Sequence, residues 1–63
     1  WLAYEQVLAA LPAESRALVL MRFEFGMSFG EIAAEFGETA DVIRMRVNRA
    51  IARIAQDSHG PPG

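Results

Sequence analysis

Residues 28–54 read SFGEIAAEFGETADVIRMRVNRAIARI, and the fold turns on how this stretch is parsed. Ser28 and Glu31 stand in the S-x-x-E spacing of a capping box, in which each side chain satisfies the other residue's unpaired backbone N–H. A helix therefore opens after Ser28, with Ile32, Ala33 and Phe36 facing inward, and Gly37 stops it early. Thr39 is placed as the N-cap of the next helix, with Asp41 in a first turn where a carboxylate complements the macrodipole. In that next helix Ile43, Val47, Ala50, Ile51 and Ile54 recur at i, i+4, i+7, i+8 and i+11, the spacing of a single apolar face. A short capped helix, a Gly-containing turn and a longer helix with a basic outer face form the pattern of a helix-turn-helix.

Working outward, the segment WLAYEQVLAAL (1–11) puts Leu2, Val7, Leu8 and Leu11 mostly on one face of a first helix. Pro12 breaks the chain and suits the first position of a second helix, because the N–H it lacks would be unpaired there anyway. Leu18, Val19, Met21, Phe23 and Phe25 cover more than one face of that second helix, which predicts that it is central and the most buried, with Gly26 as its C-terminal cap. Phe23, Phe25, Phe29 and Phe36 are all expected in the core, whereas Trp1 and Tyr4 suit either the core or a partner's helix. The expected fold class is all-α: a compact four-helix domain over residues 1–56, with helices at about 1–11, 12–25, 28–36 and 39–56. Residues 57–63 are read as a disordered tail.

Sixty-three residues lie near the lower limit for an unaided hydrophobic core. With no Cys and a single His, in the Gly/Pro-rich end, no disulfide or zinc cluster is available to staple it. Helix packing must supply the stability, and a hydrophobic content of 52% makes that feasible. No apolar run is long enough to cross a bilayer, and no membrane partner is expected. Starting without Met and ending in HGPPG, the chain reads as a piece of something longer.

The net charge of −2 hides a strong polarity along the sequence. Residues 1–41 hold seven acids and two Arg, giving −5, whereas residues 42–63 hold four Arg and one acid, giving +3. A basic half is the usual footprint of a polyanion partner. With the apolar stripe anchoring the last helix, Arg44, Met45, Asn48 and Arg49 point away from the core, and Arg46, Arg49 and Arg53 form a second stripe along its flank. A helix fits the major groove, where Arg reads guanine bidentately and Asn reads adenine, while flanking Arg meets phosphates and sets register. The bland alternative is a solvated helix face. Such faces usually mix signs, and no acid occurs between Val42 and Gln56. Arg16 is expected to pair with a nearby acid rather than to touch DNA. Glu31 and Glu35 share the spacing of a carboxylate pair, but on so short a helix they read as capping and solvation. With no Lys, no usable His and no Gly-rich phosphate loop, no catalytic residue, metal, cofactor or small-molecule ligand is expected.

In combination, LPAESRALVLMRF (11–23), GMSFGEIAAEFG (26–37) and RMRVNRAIARI (44–54) resemble the carboxy-terminal region-four domain of bacterial RNA polymerase sigma factors, most nearly the extracytoplasmic-function type. That resemblance implies recognition of the −35 element in double-stranded promoter DNA, docking on the β-subunit flap of core RNA polymerase through apolar surface, an anti-sigma factor as a further partner, and a site of action in the bacterial cytoplasm. Carried over by position, Arg44, Met45, Asn48 and Arg49 face the groove, while Arg46, Ser28 and Phe29 lie near phosphates. Thr39, Asp41, Val42 and Arg53 complete the expected DNA-binding set. The sequence departs from the family where Asp41 and Val42 replace a Gly-Thr pair and where Met45 replaces a small polar residue, which predicts an unusual or weak promoter preference. Two alternatives stand beside this reading. One is a response-regulator-type helix-turn-helix output domain, which usually carries Thr-Val-Lys-x-His where this chain has Val42-Ile43-Arg44-Met45-Arg46. The other is a protein-interaction module with little DNA affinity, binding polymerase or an anti-sigma factor.

Overall fold

The computed structural model describes residues 3–59, and side-chain environments within 5–56, as helices joined by short turns, with no strand among the described residues. The helices are α1 (Ala3–Ala10), α2 (Ala13–Val19), which continues as a π-helical stretch over Leu20–Glu24, α3 (Phe29–Phe36) and α4 (Ala40–His59). Trp1, Leu2 and the surroundings of Tyr4 fall outside this description, as do residues 60–63. Where a disordered tail was expected from residue 57, Asp57, Ser58 and His59 instead continue α4. The first backbone breakers after Thr39 are Gly60 and Pro61, so nothing before them forces the helix to stop.

α4 packs on each of the other three helices and is the spine of the fold, the role expected of the second helix. Its buried stripe serves two clusters. Ile43 and Val47 join Leu18, Ile32 and Ala33, with Met21, Met27, Phe29 and Phe36 packed around them. Further along, Ala50 joins Leu11 and Val19, flanked by Leu8 and Ile54. Leu18, Val19, Ile32, Ile43 and Val47 are the largest fully buried side chains, each worth roughly 1.5–3 kcal/mol relative to exposure.

Two of the expected core aromatics are outside it: Phe23 is 55% exposed and Phe25 is 71% exposed. In an uninterrupted α-helix Phe23 would follow Val19 by four residues and Phe25 would follow Leu18 by seven, which would put both on the core face. The Phe25 N–H instead donates to the Leu20 carbonyl five residues back, at 3.0 Å. One extra residue in that turn rotates everything after Leu20 off the α-helical phase. Gly26, at φ +65°, then reverses the chain, and the Met27 N–H returns to the Met21 carbonyl at 3.0 Å. Ile51, expected on the buried stripe, also lies partly exposed beside Phe23.

Candidate nucleic-acid interface

The start of α3 is fixed as its sequence dictates. The Ser28 N–H donates to Glu31 Oε1 at 2.8 Å, and the Glu31 N–H donates to Ser28 Oγ at 3.1 Å. The bond from the Ser28 backbone, with the Ser28 hydroxyl second, holds the Glu31 carboxyl below its ordinary value, against a smaller opposing effect of burial. At the other end Gly37 takes φ +67°, ψ 34°, and the N–H groups of Gly37 and Glu38 both return to the Ala33 carbonyl. Thr39 Oγ1 then accepts the Val42 N–H at 3.2 Å and starts α4.

Because Ile43 and Val47 are fully buried and Ala50 nearly so, the rotation of α4 is settled. Arg44, Met45, Asn48 and Arg49 are consequently all exposed along one outer face, with Met45 56% exposed. Arg44 lies 3.1 Å from Asp41, but both side chains are well exposed, and such an i,i+3 pair contributes less than about 1 kcal/mol. An incoming base or phosphate can displace it at small cost. Val42 is half-buried and offers a groove little besides methyl surface.

The remaining expected contacts are dispersed. Arg49 and Arg53 are exposed and border a groove that faces Pro12, Glu14 and Ser15 at the start of α2. Among the described residues, neither has a carboxylate within ion-pair distance. Arg46 is separated from this pair chemically, since its guanidinium lies 3.6 Å from Glu14 and 3.4 Å from Glu38. Ser28 is exposed, but its hydroxyl is engaged in the capping box. The Phe29 ring packs on the core beneath Arg22, whose guanidinium carbon sits 4.6 Å from the ring centre.

Sequence reasoning missed Arg22, Glu14 and Glu38. Arg22 donates to the Met27 carbonyl at 3.1 Å while covering Phe29, and so fastens the end of the π-helical stretch to the start of α3. Arg16 finds a backbone partner instead of an acid, donating to the Leu11 carbonyl at 3.3 Å. One signal for Arg46 was present in the spacing: three residues after Ile43 and one before Val47, it sits on the flank of the buried stripe, where a cation needs a partner.

No helix among the described residues is long and apolar enough to cross a membrane, and no described cluster of His, Cys, Asp or Glu could hold a metal ion. No curated protein and no solved structure matches the chain. Residues 1–54, by contrast, match the family model of sigma-70, region 4. That match and the helix-turn-helix of α3 and α4 agree: the chain belongs to the sigma-70 region 4 family, the DNA-binding domain that recognises the −35 promoter element in sigma factors.

Proposed function

We propose that this domain directs RNA polymerase to promoters by laying α4 in the major groove of the −35 element, as part of an extracytoplasmic-function sigma factor acting in the bacterial cytoplasm. The observation that carries the proposal is the exposed quartet Arg44, Met45, Asn48 and Arg49, held opposite the buried Ile43 and Val47. Arg44 and Arg49 supply guanine-reading forks, Asn48 suits adenine, and Met45 gives apolar contact to a thymine methyl. Arg53, with the groove beside the start of α2, supplies phosphate contacts.

A second face serves the polymerase. Phe23, Val19, Ile51 and Ile54 line an open, almost wholly apolar groove on the flank of α4. It suits an apolar helix such as one from the β-subunit flap, and an anti-sigma factor would compete for the same surface.

Neutralising ~3–5 phosphates gives log affinity a slope of about −3 to −4.5 against log salt, so the domain alone binds weakly at physiological salt. Salt-titrated fluorescence anisotropy on promoter duplexes tests this. Steep binding that Arg49→Ala weakens by roughly five- to 150-fold is expected, because one bidentate base contact is worth ~1–3 kcal/mol. Binding indifferent to salt and to that substitution would remove the DNA reading. Capture by polymerase with no shift of any duplex in a random pool would instead favour the interaction module, which the Asp41–Arg44 pair, Val42 and Met45 suit.

A further inference from the structure

Among the described residues, Arg46 is the recognition-helix cation that the fold grips from two sides. One terminal nitrogen lies 3.6 Å from Glu14 Oε2, in the first turn of α2, and the other lies 3.4 Å from Glu38 Oε2, in the turn between α3 and α4. One guanidinium thereby ties three separate pieces of chain together: the start of α2, the helix-turn-helix turn and α4. We infer that Arg46 is a positioning residue for promoter reading, setting through Glu14 and Glu38 the angle at which α4 projects from the domain, rather than a phosphate contact. The inference rests on the DNA reading proposed above.

Three considerations carry it. Ile43 and Val47 seat α4 on Leu18 and Ile32, and Ala50 seats it on Leu11 and Val19. Packing thus sets the crossing angle to within the roughly 15–20° spread of such interfaces, which a polar clasp can narrow. The Glu38 arm is a hydrogen bond at 3.4 Å and so is directional, and the Glu14 arm at 3.6 Å adds ion-pair attraction on the other nitrogen. A Lys ammonium cannot present two such nitrogens in one plane. The three side chains are each 36–58% exposed, so each bridge alone is weak. They share one guanidinium, however, and the second bridge orders a side chain that the first has already restrained.

The two roles predict opposite results. The probes are a duplex selected by the wild-type protein from a random-sequence library and a shuffled duplex of equal length. Arg46→Ala should lower the selected-to-shuffled affinity ratio about three- to tenfold, leaving the salt slope unchanged. Arg46→Lys, which keeps the charge, should lower the ratio as well. The isosteric double variant Glu14→Gln/Glu38→Gln should do the same, although it removes negative charge. If instead that variant keeps the ratio and steepens the salt slope, or if Arg46→Lys behaves as wild type, Arg46 is a phosphate contact restrained by two acids and the inference is overturned. If the wild-type protein selects no duplex, the DNA reading has failed. Residual dipolar couplings on the same variants then still decide whether the clasp sets helix orientation. An unchanged α2–α4 angle in Arg46→Ala and Glu14→Gln/Glu38→Gln would overturn that too.

Discussion

At the scale of single residues, the helix-turn-helix is held by caps that can be removed one at a time. Thr39 Oγ1 accepts the Val42 N–H, so Thr39→Ala leaves the first turn of α4 without that partner. The expected cost is ~1 kcal/mol of unfolding free energy, read as a lower urea midpoint at an unchanged slope. Glu31 makes a complementary prediction in pH. Its native value is lowered, first by the Ser28 backbone bond and then by the Ser28 hydroxyl, so its stabilisation is present above the unfolded-state value. That stabilisation is lost as pH falls through the lowered native value. Thermal melts of the wild type and Glu31→Gln should therefore differ most near neutrality and converge as the pH drops below the ordinary glutamate range. A gap that widens on acidification would contradict the capping account.

At the scale of elements, Gly37 separates conformational strain from steric exclusion. It sits at φ +67°, yet a Cβ built there meets nothing within 4 Å. Any penalty for substitution must therefore come from the backbone itself. Gly37→Asn should retain most of the stability, whereas Gly37→Ala, which adds only that Cβ, should lose ~1–2 kcal/mol by urea unfolding. The same local determinants explain why α3, its turn and α4 could be read from sequence. Ser28, Glu31, Gly37 and Thr39 act on neighbours within a few residues, and Ile43, Val47 and Ala50 announce their face by spacing. Phe23 and Phe25 could not be placed that way, since a single widened turn after Leu20 moves both off the α-helical phase while leaving composition untouched. The Arg46 clasp was hidden for a different reason. One of its carboxylates comes from another helix, and no periodicity along α4 carries that information.

At the scale of the whole molecule, the carboxylates beside α4 temper its charge. Of the four Arg after residue 41, Arg44 already faces Asp41 and Arg46 faces Glu14 and Glu38. The salt slope should therefore fall at the shallow end of the proposed range, near about −3. So weak a duplex affinity requires that promoter occupancy come from a second attachment, which raises the effective concentration of α4 at its site. The apolar groove lined by Val19, Phe23, Ile51 and Ile54 adjoins the exposed quartet, since Ile51 follows Asn48 by three residues on α4, whereas Phe23 reaches the groove from the π-helical stretch. The proposed duplex and polymerase faces therefore meet along α4, and a substitution outside α4 is needed to tell them apart. Phe23 separates the two functions experimentally because, at 55% exposed, it contributes little to the core. Phe23→Ser should leave unfolding free energy within ~0.5 kcal/mol of wild type and leave duplex anisotropy unchanged. It should nonetheless reduce capture by purified core RNA polymerase and, with it, promoter occupancy by the assembled enzyme. Equal loss of duplex and polymerase binding would mean that the two faces are not independent. Full retention of polymerase capture would place the docking surface elsewhere on the helices.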